Sequence, residues 1–266
     1  MAKATKTKAK AKPKPRKPKK LVASARIKAA AKKSAARAAK GAPIGKTKAA
    51  RSGGKRPAAD RFVLHAFHLS MPSSKVGLML SMSGVPWDYR HIDLPNGAHK
   101  KPEFLALNRF GQVPVLQHGK QLICQSNVIL TYLAEQTGRF GPRNETERLR
   151  IAEWLAWDFT EMSDVRNARA FTRFYPKHEE VLKFVHGRGE TALKTLDRHL
   201  GGSKFLVGTQ PTIADIAVFP LIATAEEGGF VVANHPNLHA WAVRMMALPG
   251  CGHPYTIMPK EDRVAA

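Results

Sequence analysis

From residue 61 onward, short apolar runs alternate with segments of helical spacing, and the alternation stops near residue 139. Residues 61–67 (Arg-Phe-Val-Leu-His-Ala-Phe) form a near-continuous apolar run, the pattern of a strand in a sheet covered on both faces. An amphipathic segment follows through Leu80 and Met82 and stops at Gly84, with Ser73 or Ser74 as its candidate cap. Residues 87–94 read as a second strand. Residues 101–107 read as a short helix with Pro102 in its first turn, a position proline favours. Residues 113–117 and 121–124 are two apolar runs joined by His118-Gly119-Lys120, a hairpin signal, and Pro114 sits at the start of the first. After Gln125 the spacing turns helical at Val128, Ile129, Tyr132 and Leu133, and it ends before Gly138. The predicted order is strand, helix, strand, helix, two strands, helix.

Beyond a short linker at 139–145 every periodic segment is helical. Asn144 and Glu147 read as a cap pair before a stripe at Leu149, Ala152, Leu155, Phe159 and Met162. Leu182, Val185, Leu193, Leu196 and Leu200 form a second stripe. Thr212-Ile-Ala-Asp215 has the spacing of a capping box, and the segment it opens is apolar almost all round, which predicts a centrally buried helix. Leu238, Trp241 and Met245 complete a bundle. The expected organisation is an arm at 1–60, an α/β domain at 61–138, the linker, an all-helical domain at 146–255 and a C-terminal tail at 256–266.

Charge changes this picture at one end only. The 266 residues carry a net charge of +24, and residues 1–60 hold 21 Lys/Arg against the single acid Asp60, which leaves +4 for the remainder. Pro13, Pro15 and Pro18 exclude a continuous helix there, and the arm has too few apolar groups to offset its ordering entropy, so it reads as disordered when alone. In composition it resembles the tails of linker histones. Its Lys and Arg residues can neutralise phosphates, but with no aromatic residue it cannot stack on bases, so sequence-independent DNA or RNA binding is expected. A transit peptide, an anionic membrane surface and a merely solubilising extension are the alternatives; the first favours Arg and Ser on an amphipathic helix, whereas this arm is Lys-rich and interrupted by Pro. Two cysteines, Cys124 and Cys251, make no disulfide framework, and no run approaches the ~18 apolar residues of a membrane span. A cytoplasmic protein, nucleoid-associated through the arm, is the expectation.

The run Asn108-Arg-Phe-Gly-Gln-Val-Pro-Val-Leu116, followed by Gln125-Ser126-Asn-Val-Ile129, resembles the glutathione S-transferase family. That family carries Leu-Asn-Pro-x-Gly-x-Val-Pro-x-Leu and then Glu-Ser-x-Ala-Ile. Its Thr-x-x-Asp box also begins the core helix of its second domain, as Thr212 and Asp215 do here. The likeness covers 61–255. It implies a thioredoxin-like α/β domain followed by an all-α domain, a homodimer, glutathione as co-substrate with no metal, and conjugation to small electrophiles in a detoxification role. It also implies that Pro114 is cis and that the Val113 backbone pairs with the cysteinyl part of glutathione. Gln125 and Ser126 would hold the γ-glutamyl end, and Gln112, with His99 and Lys101, would face the glycyl carboxylate.

Ser70-Met-Pro-Ser-Ser-Lys-Val76 is similar to the Ser-x-Pro-Cys/Ser-Arg run of the delta and theta transferases, whose first serine activates the thiol; related bacterial members place Asn where Pro72 stands. Glutathione transfer needs a thiolate at neutral pH, whereas a free thiol titrates near ~8.5, so lowering it by two units requires about 2.7 kcal/mol of differential stabilisation. Ser70 is the expected hydroxyl and Ser73 the second candidate. Serine at both 70 and 73 leaves no dithiol in the place where thioredoxins carry one. A glutathione-dependent disulfide or peroxide reductase on the same site, and a non-catalytic nucleic-acid-associated protein that retains the fold, are the other function classes. Arg109 stands where the family has proline, and Cys124 reads as a buried, inert strand cysteine. His235 and His239 have helical metal spacing, but Pro236 lies between them and disfavours a metal site.

Overall fold

The sheet of the first domain is built outward from β1 (Phe62–Ala66) in the computed structural model, which describes residues 61–175 and 178–265. The basic arm at 1–60 therefore lies outside the described residues. The strand order is β2-β1-β3-β4. β2 (Trp87–His91) runs parallel to β1 with Tyr89 opposite Leu64, and β3 (Val115–His118) runs antiparallel with Leu116 opposite Leu64. β4 (Gln121–Cys124) returns from β3 with His118 opposite Gln121. Gly119 in this turn has a φ of +57°, a conformation that costs glycine little.

Phe62, Leu64 and Ala66 of β1 are buried, but Val63 and His65 are half-buried. The sheet is thus fully covered on one face only, a correction to the two-sided burial expected. The half-covered face accommodates polar groups: His65 Nε2 lies 3.2 Å from Gln117 Oε1 on the neighbouring strand. β2 ends at His91, short of the predicted Leu94, because the chain there turns into the Asp93–Asn96 loop, held by Asn96 N–H donating to Asp93.

Helix α1 (Met71–Ser83) is capped by Ser70, whose Oγ accepts the Ser73 N–H at 3.3 Å, and it stops at Gly84 with φ +66°. Ser73 and Ser74, the expected caps, lie inside its first turn and are buried. With Pro72 in that turn, the helix starts three to four residues earlier than a cap at Ser73 or Ser74 would place it. α2 (Pro102–Leu107) and α3 (Ser126–Thr137) complete the first domain, α3 ending at Gly138 with φ +64°.

The second domain consists of α4 (Glu145–Thr160), α5 (Met162–Arg173), α6 (Glu179–Leu200), α7 (Ile213–Ala223) and α8 (Pro236–Met246). α7 is buried on every side, and its capping box is complete. Asp215 accepts N–H groups from Thr212 and Leu206 and the indole N–H of Trp241, each at 2.9 Å, so one carboxylate ties the start of α7 to the preceding loop and to α8. Burial raises the pKa of Asp215, and these donors oppose the rise.

The stripe predicted along α4 is covered only in part: Leu155 packs half-buried against the core and Met162, just beyond the helix, is fully buried. Leu149 and Phe159 are 51% and 66% exposed, whereas Ile151 and Asp158 are the buried positions. Apolar spacing registers a stripe without showing what covers it, and nothing in the local pattern marks Asp158 as buried, because its partner Lys75 lies in the other domain. The segment after residue 256 is also more than a tail. Arg263 exchanges both backbone hydrogen bonds with Tyr89 (2.7 and 3.0 Å), Ala265 N–H donates to Asp88, and the Arg263 guanidinium lies 4.1 Å over the Trp87 ring. This strap covers the otherwise open edge of β2.

Candidate functional site

Between the domains lies a cleft of about 1190 Å³. Its first-domain wall includes Ser70, Gln112, Val113, Pro114, Gln125 and Ser126, and its helical wall includes Leu155, Phe159, Met162, Arg166 and Arg169.

The first-domain wall is shaped by local hydrogen bonds. Asn108 is buried, donates from Nδ2 to the Gln112 carbonyl at 2.6 Å and accepts the Phe110 N–H at 3.0 Å. Lys100 Nζ donates to the Gly111 carbonyl at 3.0 Å, and Gly111 has a φ of +57°. A Cβ at Gly111 would sit 3.1 Å from the His99 carbonyl, so both conformation and space require glycine. These contacts fix the loop's course without the family's proline at 109; Arg109 instead lays its guanidinium 4.3 Å over the Phe110 ring. The loop leads into a cis Val113–Pro114 bond, and Pro114 is buried.

Gln125, at the other end of this wall, has φ +70°, a left-handed value rare for a residue with a Cβ and one tolerated where surrounding structure demands it. It stands immediately before α3, leaving the first N–H groups of that helix facing the cleft as an anion-binding end. Behind it, Asn127 Nδ2 donates to the Leu155 carbonyl at 2.8 Å and to Asp158 Oδ2 at 2.9 Å.

Asp158 also receives Lys75 Nζ at 2.5 Å, both groups being buried. Burial lowers the Lys75 pKa, and the Asp158 charge opposes that fall. One carboxylate thus holds α1, the start of α3 and α4 together beneath the cleft. Arg169, also buried, donates to the Leu69 carbonyl, to Glu227 and to the Tyr255 hydroxyl, tying the residue before Ser70 to the helical domain. Sequence reasoning missed Lys75, Asn127, Asp158, Arg166 and Arg169. Lys75 alone had a visible signal, as the cation closing the Ser-x-Pro-Ser-Ser-Lys run.

The cleft brings Ser70, Gln112, Val113, Pro114, Gln125, Ser126 and His99 together. Ser73 lies behind the surface, fully buried, with its Oγ lacking a partner among the described residues. Lys101, the residue preceding α2, is exposed and outside the lining, whereas its neighbour Lys100 lines the cleft. Burial pulls the His99 pKa down, favouring a neutral imidazole. Cys124 is half-buried rather than buried, and burial raises its thiol pKa; that of Cys251 is pushed up to about 12. Neither has the depressed pKa of a reactive cysteine.

Four cations, Lys75, Lys100, Arg166 and Arg169, and one carboxylate, Asp158, line the cleft. The amino end of α3 and, beside the 108–114 loop, Lys100 provide two positive sites on the first-domain wall, which suits a ligand with two carboxylates, as glutathione has.

The family model for the N-terminal domain of glutathione S-transferases matches residues 70–136, and that for the C-terminal domain matches 162–249. The chain is 30% identical over 200 residues to human glutathione S-transferase theta-2, covering 68% of this chain and 79% of that protein. It is 28% identical over 186 residues to glutathione S-transferase 2 of Anopheles gambiae, covering 67% and 87%. Among solved structures, a glutathione S-transferase from Xanthobacter autotrophicus Py2 is 32% identical with a TM-score of 0.68, covering 72% of this chain and 96% of that one. One from Pseudomonas fluorescens Pf-5 is 28% identical with a TM-score of 0.69, covering 73% and 98%.

Proposed function

The chain belongs to the glutathione S-transferase family and conjugates glutathione to small electrophiles, and we propose that Ser70 is the hydroxyl on which that reaction depends. Bound glutathione supplies the nucleophilic sulfur. The observation that carries the assignment is the cap bond: Ser70 Oγ accepts the Ser73 N–H, which uses a lone pair and leaves the hydroxyl proton free to donate to a thiolate. The same bond fixes Oγ at the amino end of α1, where the peptide dipoles favour an anion. Ser73 is the poorer candidate, since it lies fully buried behind Ser70.

The other residues hold and orient. The amino end of α3, with Ser126 and Gln125, takes the γ-glutamyl carboxylate. The Val113 main chain before the cis bond takes the cysteinyl part, and His99, Lys100 and Gln112 take the glycyl carboxylate. Orientation and electrostatics then supply the catalysis. Ser70→Ala should lower kcat by about 10²-fold, the scale of one lost oxyanion-type donor, with far less change in the KM for glutathione. Full activity in Ser70→Ala together with loss in Ser73→Ala would transfer the role to Ser73.

Two further properties belong to this reading. The enzyme is a two-fold dimer: Leu149 on α4 is 51% exposed, and Val128 on α3 and Phe159 on α4, which also line the cleft, are 55% and 66% exposed, apolar groups available to a second copy. The arm, with its 21 Lys/Arg, binds nucleic acid through phosphates. Light scattering on the full chain tests both. It should give the mass of a dimer alone and of a larger complex with duplex DNA, the complex losing about 10³–10⁵ in affinity between about 50 and 200 mM salt if six to ten phosphates are engaged. A monomer at micromolar concentration contradicts the first property, and salt-insensitive or absent DNA binding contradicts the second.

A further inference from the structure

Arg166 stands apart from the other charges of the cleft. Met162, Ser163, Arg166, Arg169 and Ala170 all line it and share one face of α5 by their spacing of three and four. Arg169 on this face is engaged by Glu227, Tyr255 and the Leu69 carbonyl. Arg166 makes no hydrogen bond or ion pair among the described residues. The carboxylates whose fields reach it are already engaged: Asp158 by Lys75 and Asn127, and Asp164 by Arg188 at 2.7 Å. It is half-buried, and burial draws its pKa below the ordinary arginine value, the mark of a guanidinium without full compensation.

The reading that this cleft holds glutathione already assigns both carboxylates of the tripeptide to the first-domain wall, one to the amino end of α3 and one to Lys100 and its neighbours. Arg166 is on the opposite wall. Met162, Ala170, Tyr175 and Leu155 line the same helical wall and give it apolar surface, on which Arg166 is the cation without an ion-pair partner among the described residues. Resting on that reading, we infer that Arg166 selects the second substrate: the electrophile carries an anionic group, a carboxylate or sulfonate attached to an apolar frame, which the guanidinium binds while the frame lies against that apolar surface. A planar five-donor fork suits either anion. Arg166 is thereby a specificity-determining residue and has no part in activating the thiol.

The inference is tested with two unreactive product analogues, S-benzylglutathione and S-(4-carboxybenzyl)glutathione, titrated calorimetrically into the full-length protein. The wild type should bind the carboxylated analogue about tenfold more tightly, the scale of one charge-assisted hydrogen-bonded contact. Arg166→Gln should abolish that preference while leaving the affinity for S-benzylglutathione unchanged, and Arg166→Lys should restore part of it. If S-benzylglutathione binds and the carboxylate gains nothing, the inference fails and the glutathione reading stands. If Arg166→Gln weakens both analogues equally, Arg166 serves glutathione or the fold and the inference is again overturned. If neither analogue binds the wild type, the glutathione reading falls with it.

Discussion

On the first-domain wall of the cleft, the bonds that shape the ligand-facing groups span a few residues: Ser73 to Ser70, Asn108 to Gln112, Phe110 to Asn108. On the helical wall they cross the chain: Lys75 to Asp158 over 83 positions, and Arg169 to Leu69 over 100. The first wall presents backbone and small polar groups whose geometry is set locally, so it can be carried by a short run of sequence. The second presents long charged side chains whose state depends on which partner the fold delivers. The contrast separates two tasks. On the proposed reading, local bonds position the constant half of the reaction, glutathione, while the long-range pairs join the domains and leave Arg166 without an ion-pair partner among the described residues, for the variable half.

The comparison is broken most severely at the buried pair. Lys75→Met leaves Asp158 buried with only Asn127 as a partner, and removing one member of a buried ion pair costs about 3–5 kcal/mol. Denaturant unfolding should register that loss. A loss under about 1 kcal/mol would mean that Asp158 is not held as a charge in the fold. Because the pair anchors both the α1 and α3 ends of the first wall, the weakened protein should also bind glutathione less well.

How much of this was legible follows the same division. The strand and helix order of the first domain, the hairpin, the Thr212–Asp215 box and the residues from Gln112 to Ser126 could be read because each is a local pattern. Ser70 is singled out by the likeness of the Ser70–Val76 run to the delta and theta transferases, but its capping role is not, since Ser73 and Ser74 are equally good caps by composition. Asp158 was illegible: a carboxylate in the last turn of a helix reads as solvated until Lys75 is known to face it. The α4 stripe was misread for a related reason, because Leu149 and Phe159 have the spacing of core residues while the chain itself leaves them uncovered.

A smaller effect sharpens the contrast from the first wall. Gln125 holds φ +70° at some cost, so Gln125→Gly should stabilise the fold by about 1 kcal/mol while raising the KM for glutathione through loss of its side chain. Unfolding and steady-state kinetics on the same variant check both directions. A destabilised variant would show that the Gln125 side chain, rather than the backbone, sets the turn.

The most direct test of the central claim is the titration of the bound thiol, followed by ultraviolet thiolate absorbance of glutathione on the wild type and on Ser70→Ala. With the hydroxyl donating to sulfur at the amino end of α1, the bound thiol should titrate well below the free value of ~8.5 in the wild type and return most of the way to it in the variant. The variant should still bind glutathione, since the proposed reading assigns its two carboxylates to other groups. An unchanged bound thiol pKa in Ser70→Ala, with glutathione still bound, would contradict the account.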